Sequence, residues 1–196
     1  MFKNEEELRK KYGEKNKSDW LNLKEGSNKI RVVSDFADYG THAIKEGNKF
    51  QSVVCIGKEN HCPYCEKGLP VKVQFLGWVI DRNDGQVKLL RIGWKIYEQL
   101  KKFQESEEYG FETLPSYDID IVKTGTGLDT RYNIIPSRKD SPLTDEEKAL
   151  IVAKIKEPQE IIEKMRDKVL INIDSELERE ETEDSDAEEP FDEQPF

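Results

Sequence analysis

Apolar and polar positions alternate with period two in several short stretches between residues 20 and 136. The clearest strand is residues 71–82. Val71, Val73, Phe75 and Val79 fall on one face; Lys72, Gln74, Trp78 and Arg82 fall on the other, together with Leu76 and Ile80. An Asn83-Asp84-Gly85 turn follows, and the pattern returns over 86–92, the combination that marks a hairpin. Residues 20–26 and 28–33 alternate around Gly26-Ser27, and 50–55 is a further strand candidate. Residues 117–123 and 131–136 read as a second hairpin, joined by Thr124-Gly125-Thr126-Gly127. Helical spacing replaces alternation in three places. After Gly93, Ile96, Leu100 and Phe103 define one apolar face of a helix from Trp94 to about Gln104. Thr144 with Glu147 forms a capping box that opens a helix to about Lys156, and Pro158 suits the first turn of another ending near Leu170.

Residues 3–16 alternate Glu with Lys and Arg and contain few large apolar groups, so residues 1–19 read as an N-terminal arm. Beyond Asp174 the apolar content is too low to fold, which predicts a disordered acidic tail over 174–196. Residues 20–173 remain as one core. Several short strands with one interposed helix predict a mainly β (α+β) fold, a small barrel or related sheet followed by C-terminal helices; an oligonucleotide-binding (OB) barrel is one such fold.

The net charge of −10 is unevenly placed. Residues 174–196 carry 12 acidic side chains against one basic, Arg179, whereas residues 1–173 hold 29 acids against 30 bases. A balanced body with an acidic tail permits nucleic-acid binding by the body and protein contacts through the tail. No apolar run reaches the ~20 residues that span a bilayer, and the N-terminus lacks the apolar core of a signal peptide. The expectation is a soluble, cytoplasmic protein with no membrane partner.

Three cysteines are too few, and odd in number, for a secreted disulfide framework. Together with a histidine they give the spacing H-x12-C-x6-C-x2-C, at His42, Cys55, Cys62 and Cys65. Zinc takes four tetrahedral nitrogen or sulfur ligands, and a C-x2-C knuckle supplies two of them from one turn. Using every cysteine closes the coordination shell, so the expectation is one structural Zn2+ pinning a loop of residues 42–65. His61 competes for the fourth position, but adjacent residues seldom reach one ion in good geometry. Cys62-Pro63-Tyr64-Cys65 also matches the glutaredoxin dithiol, whose mechanism needs the first cysteine to open a helix. Gly68 and Pro70 end any helix here within about a turn, which counts against redox catalysis. A zinc deaminase needs glutamate two residues after the histidine, where Ile44 stands. No catalytic residues are assigned.

Single-strand binding takes cations for phosphates and aromatic faces for unstacked bases. Lys72, Trp78 and Arg82 share a strand face; Lys88 and Arg91 lie on the return strand, with Trp94 just beyond. Arg31, Lys49, Phe50, Lys123, Arg131 and Tyr132 complete the candidate DNA-binding set.

The order of these features over roughly residues 20–137 resembles the single-stranded DNA-binding (helix-destabilising) proteins of T-even phages. It runs Asn28-Lys29-Ile30-Arg31-Val32-Val33, the histidine-led metal loop, the strand through Phe75 and Arg82, Gly85 to Gly93 leading into a helix, and the strand from Tyr117. The resemblance implies an OB-fold core carrying a zinc site of one histidine and three cysteines. It further implies sequence-independent coating of single strands in phage DNA replication, recombination and repair, inside the infected bacterial host. The chain departs from that family in a shorter Cys55–Cys62 gap. The basic N-terminal element that family uses for cooperative self-association is not clearly matched; Leu8-Arg9-Lys10-Lys11-Tyr12 is the nearest candidate. The ending Pro190-Phe191-Asp192-Glu193-Gln194-Pro195-Phe196 is similar to the acidic tip of bacterial single-stranded DNA-binding proteins. That similarity makes Asp192, Glu193, Pro195 and Phe196 the expected contacts to replication, recombination and repair proteins. The alternative expectation is a zinc-ribbon protein-interaction or transcription-related module with no preference for single strands.

Overall fold

A computed structural model of the protein describes residues 19–46 and 49–185, with the side chains of Glu46, Lys49, Leu128 and residues 174–185 excepted. The N-terminal arm up to residue 18 and the tail contacts Asp192, Glu193, Pro195 and Phe196 lie outside the described residues. In chain order the elements are β1 (Lys29–Val32), β2 (Ala37–Glu46), β3 (Lys49–Val54), the one-turn helix α1 (Pro63–Glu66), β4 (Lys72–Asp81), β5 (Gln86–Gly93), α2 (Trp94–Gln104), β6 (Tyr117–Thr124), β7 (Arg131–Asp140), α3 (Asp145–Lys154) and α4 (Pro158–Ser185). The fold is mainly antiparallel sheet with a few helices. Among the described residues no helix is long and apolar enough to cross a membrane.

Two compact units divide the chain: one takes the chain up to Asp38 and Gln74–Pro158, the other Tyr39–Val73 and the chain from Gln159 onward. In the first unit β1 pairs with β4 (Ile30 opposite Asp81, Val32 opposite Val79) and with β6 (Ile30 opposite Ile119). The Asn83-Asp84-Gly85 turn closes the β4–β5 hairpin, and β6 pairs with β7. The resulting order, β5-β4-β1-β6-β7, brings β6 back beside β1 after a connection that contains α2, a Greek-key arrangement. Phe75, Val79, Leu90 and Ile92 form one side of the core, closed by Ile30, Val32, Ile119, Ile121 and the α2 residues Ile96 and Leu100.

The other face of β4 differs from the sequence expectation. Leu76, Trp78 and Ile80 are buried, as are Val87 and Leu89 on β5. Trp78 Nε1 donates to the Lys156 carbonyl at 2.8 Å, and Trp20 bridges Leu89 along the hairpin. Trp78 therefore packs in the interior and is no part of an exposed cationic face. The apolar run 75–80 accounts for this, since a strand covered on both sides is apolar without alternation.

Three further expectations are corrected. Residues 20–26 form no strand, contributing only isolated bridges at Trp20 and Gly26. The ten-residue strand β2, which carries His42, was not foreseen. The last helix runs to Ser185, about fifteen residues past its predicted stop and into the segment expected to be disordered. Glutamate is a good helix former, and no proline or glycine interrupts residues 159–185. Elsewhere local chemistry acts as predicted. Thr144 Oγ1 accepts from Glu147 N at 3.2 Å while Glu147 Oε2 accepts from Thr144 N at 3.0 Å, and Pro158 opens α4.

The β4–β5 turn is held by Asp81. Its Oδ1 accepts from the backbone N–H and side-chain Nδ2 of Asn83, both at 3.0 Å, and Lys88 Nζ lies 2.7 Å from its Oδ2. Burial by itself raises the Asp81 carboxyl, but Lys88 and the Asn83 donors outweigh it and leave the group below its ordinary value. A folded pKa below the unfolded one stabilises the protein above the unfolded value of ~3.9, and that contribution is lost as pH falls through the depressed folded value. Asp81→Asn is expected to lower stability by about 1–2 kcal/mol at pH 7. Urea unfolding at descending pH should show the wild type converging on the variant below the ordinary carboxylate range.

Candidate metal centre

The second unit brings together four ligand atoms from three stretches of chain. His42 lies on β2 opposite Val53 of β3, and Cys55 directly follows β3. Cys62 and Cys65 flank and close the single turn α1, with Pro63 in its first position. The backbone explains the convergence. Cys55 N donates to the Gly40 carbonyl at 2.9 Å, and a Cβ on Gly40 would lie 3.1 Å from Cys55 Cβ and 2.7 Å from Val71 Cγ1, so glycine is required for this approach. Gly57, at φ 94°, turns the chain after Cys55, and its carbonyl accepts from Asn60 N and Cys62 N. Gly68, at φ 73°, stops the helix one turn after it begins.

The four ligand atoms all lie within 4.8 Å of one another. Cys55 Sγ is 4.0 Å from Cys62 Sγ and 3.5 Å from Cys65 Sγ; His42 Nε2 is 3.6 Å from Cys62 Sγ and 3.5 Å from Cys65 Sγ. These separations are far beyond the ~2.05 Å of a disulfide, and the three thiols are free. His42 and Cys62 are 0% exposed. His61, the competing ligand, is exposed and sits 3.5 Å from Glu66 instead.

The electrostatics favour a cation. Burial raises the Cys62 thiol, but the backbone N–H groups of Cys65, Ile56 and Tyr64 reverse this and leave it below its ordinary value. Cys65 is pushed up to about 12 by burial and by its neighbours Cys55 and Cys62. A positive ion among the three thiols would favour their ionised form, which is the form that binds metal. The set His42, Cys55, Cys62 and Cys65 could hold a metal ion. Tyr64, whose ring lies 5.6 Å from that of His42, and Val169, Leu170 and Ile173 of α4 pack around the site. Sequence spacing carried no sign of this α4 cover. Cys62 opens a helix of only four residues and has no exposure, so it lacks the access that a dithiol nucleophile needs.

The candidate DNA contacts fall into two groups. Arg31 is buried 3.6 Å from Asp118, and Arg82 is held by the same carboxylate at 2.9 Å and by Glu147. Lys88 lies between Asp81 and Asp84 at 2.7 and 2.6 Å, and Lys123 donates to the Leu23 carbonyl at 3.2 Å. Like Trp78, these residues are committed to the interior or to ion pairs and hydrogen bonds. Phe50 and Trp94 are 77% and 58% exposed, and Lys72, Arg91 and Arg131 are exposed as well. Tyr132 is half-buried opposite Lys123. The side chain of Lys49 lies outside the described residues.

In comparisons with known proteins, the chain matches no family model, no curated protein and no solved structure.

His42→Ala is expected to weaken metal binding at least about tenfold, the scale on which even outer-shell partners of a metal count, while His61→Ala leaves it unchanged. Metal content after dialysis against a chelator series measures both. Loading should release protons, and affinity should fall as pH is lowered, because the thiols must ionise to bind.

Proposed function

We propose that this protein coats single-stranded DNA without sequence preference, using an OB-type barrel whose metal unit holds one structural zinc. The observation that carries the reading is the combination of topology and insertion. A Greek-key antiparallel sheet has its helix between β5 and β6, and a cluster of one histidine and three cysteines lies in the connection from β1 to β4. An OB barrel is a partly open Greek-key barrel of five strands, and β1, β4, β5, β6 and β7 supply five. The T-even-type resemblance puts its zinc ligands at the same place in the chain.

Zinc is favoured by the donor set and by the spacing. Tetrahedral bonds of about 2.3 Å to sulfur and 2.0–2.1 Å to nitrogen require S···S edges of about 3.8 Å and S···N edges of about 3.5 Å. Four of the six edges measure 3.5–4.0 Å, near these values, and all six lie within 4.8 Å. With four protein ligands no position remains for substrate, so the ion stiffens the unit and is not a catalyst. In the first unit exposed Arg91 and Arg131 would neutralise phosphates and Trp94 would offer a face to a base; in the second, taken by itself, Lys72 and Phe50 offer the same chemistry. The acidic tail would recruit replication, recombination and repair proteins through its Pro-Phe end and compete with DNA for the same cations.

Two measurements test the reading. Oligo-dT should quench the tryptophan fluorescence and matched duplex should not, with binding weakening steeply as salt rises. Trp78 is buried, while Trp94 is more exposed than Trp20 (58% against 37%), so Trp94→Phe should lower the quench more than Trp20→Phe does. Absence of single-strand binding in both fluorescence and gel shift refutes the function. Deleting residues 174–196 should tighten binding at low salt by several-fold, and unchanged affinity there refutes tail competition.

A further inference from the structure

In the first unit a cavity of about 220 Å³ opens between the chain after β1, helix α2 and the segment before β6. The rings of Phe36, Tyr97 and Phe111 line it, over a floor that includes Val32, Leu100 and Ile119. Two of these rings are fixed from behind. A Cβ on Gly77 would come within 2.8 Å of Phe36 Cδ1, so the Phe36 ring lies directly against the β4 backbone. Tyr97 stacks on Phe75 with centroids 3.7 Å apart and planes 4° from parallel. The cavity is therefore preformed, with walls that need not be ordered when a ligand enters.

Its size and rim restrict the occupant. The volume falls below the ~300 Å³ at which sites for drug-sized ligands begin, leaving space for one ring system and little more. Asp35, Lys101 and Gln104 stand at the rim, supplying an acceptor, a cation and a carboxamide whose Nε2 already donates to the Glu112 carbonyl at 3.4 Å. Lys101 also lies 3.8 Å from Glu105, so Asp35 and Glu105 together outweigh the one cation at the rim. That balance disfavours the Phe196 tip of an acidic tail, which brings a carboxylate and further negative charge. It suits a nucleobase, whose edge carries donors and acceptors and whose own phosphate remains outside near a single cation. On α2, positions 94, 97, 101 and 104 recur every three or four residues and so share one face. Exposed Trp94 and the Lys101 rim are seven residues, or roughly 10 Å, apart along that face.

We propose that this cavity receives one unstacked nucleobase of the bound strand, its ring against Tyr97 and Phe111, its edge toward Gln104 and Asp35, and its phosphate near Lys101. The proposal rests on the single-strand reading above and adds a specific base site to it. The test uses the full-length, metal-loaded protein at one salt concentration, titrated with oligo-dT and with an abasic oligonucleotide of equal length. Wild type should prefer oligo-dT. Phe111→Ala removes a wall, and Gly77→Ala drives the Phe36 ring into the space; each should weaken oligo-dT binding roughly tenfold, within the range for loss of one stacked base, and leave abasic affinity unchanged. Gln104→Leu, a rim substitution remote from the core, should lower the preference for oligo-dT over abasic strand even if the other two variants fold poorly. A preference equal to wild type in all folded variants overturns the base site while leaving single-strand binding intact. Failure of wild type to bind either oligonucleotide overturns both. A synthetic peptide of residues 188–196 that shifts the NMR signals of Gln104 and Lys101, where oligo-dT does not, overturns it in favour of the tail.

Discussion

Three thiols and an imidazole crowded within 4.8 Å impose the condition on which the second unit depends. Its buried cluster consists of Cys55, Ile56 and Cys62, with Tyr64, Cys65 and three α4 residues packed against it. Two of the three buried members are ligand residues, so the small hydrophobic core and the metal site are largely the same atoms. A unit this small buries too little apolar surface to fold securely without a staple. Binding energy at such a site becomes folding energy. Gly40, Gly57 and Gly68 are then explained together as the close approach and the two turns that bring the ligands to one point.

A second constraint governs the charged residues of the first unit. Arg31 and Arg82 converge on Asp118, Arg82 also reaches Glu147 at the start of α3, and Lys88 bridges Asp81 and Asp84. Removing one partner from such an arrangement leaves a poorly solvated charge, so these cations serve the fold before they serve any ligand. Any phosphate-facing surface of this unit must come instead from cations left in solvent, such as Arg91 and Arg131. Counting cations along strands overstates the free positive charge, because the same strands bring carboxylates within reach.

Much of the fold was legible where local chemistry determines it. The Asn83-Asp84-Gly85 hairpin, the bounds of α2, the Thr144–Glu147 capping box and Pro158 at the head of α4 are all short-range signals. The candidate metal cluster was legible for a related reason: thiol spacing is a chemical signature whatever the surrounding secondary structure. What failed depends on distant partners. Strand β2 shows little alternation and contains Gly40, whose purpose is visible only when Cys55 lies against it. Strand parity puts Trp78 on the outer face, whereas it is buried and bonded to the Lys156 carbonyl, far away in sequence. The cavity residues Phe36 and Phe111 stand in segments without periodicity, and only the fold places them beside Tyr97.

The metal centre also bears on the acidic segment. Val169, Leu170 and Ile173 of α4 pack on the Cys55–Cys62 cluster, and the run of acids begins at Asp174, the next residue. An ion held by these four residues would fix the point from which the acidic segment departs. On the proposed reading, the segment competes with DNA at an effective concentration set by where it is tethered and how far it reaches. Helical backbone from Asp174 to Ser185 shortens that reach, because a helix rises about 1.5 Å per residue against the ~3.3 Å of an extended chain. A structural ion with no catalytic role would then have a functional consequence, in holding the root of the tail at one place.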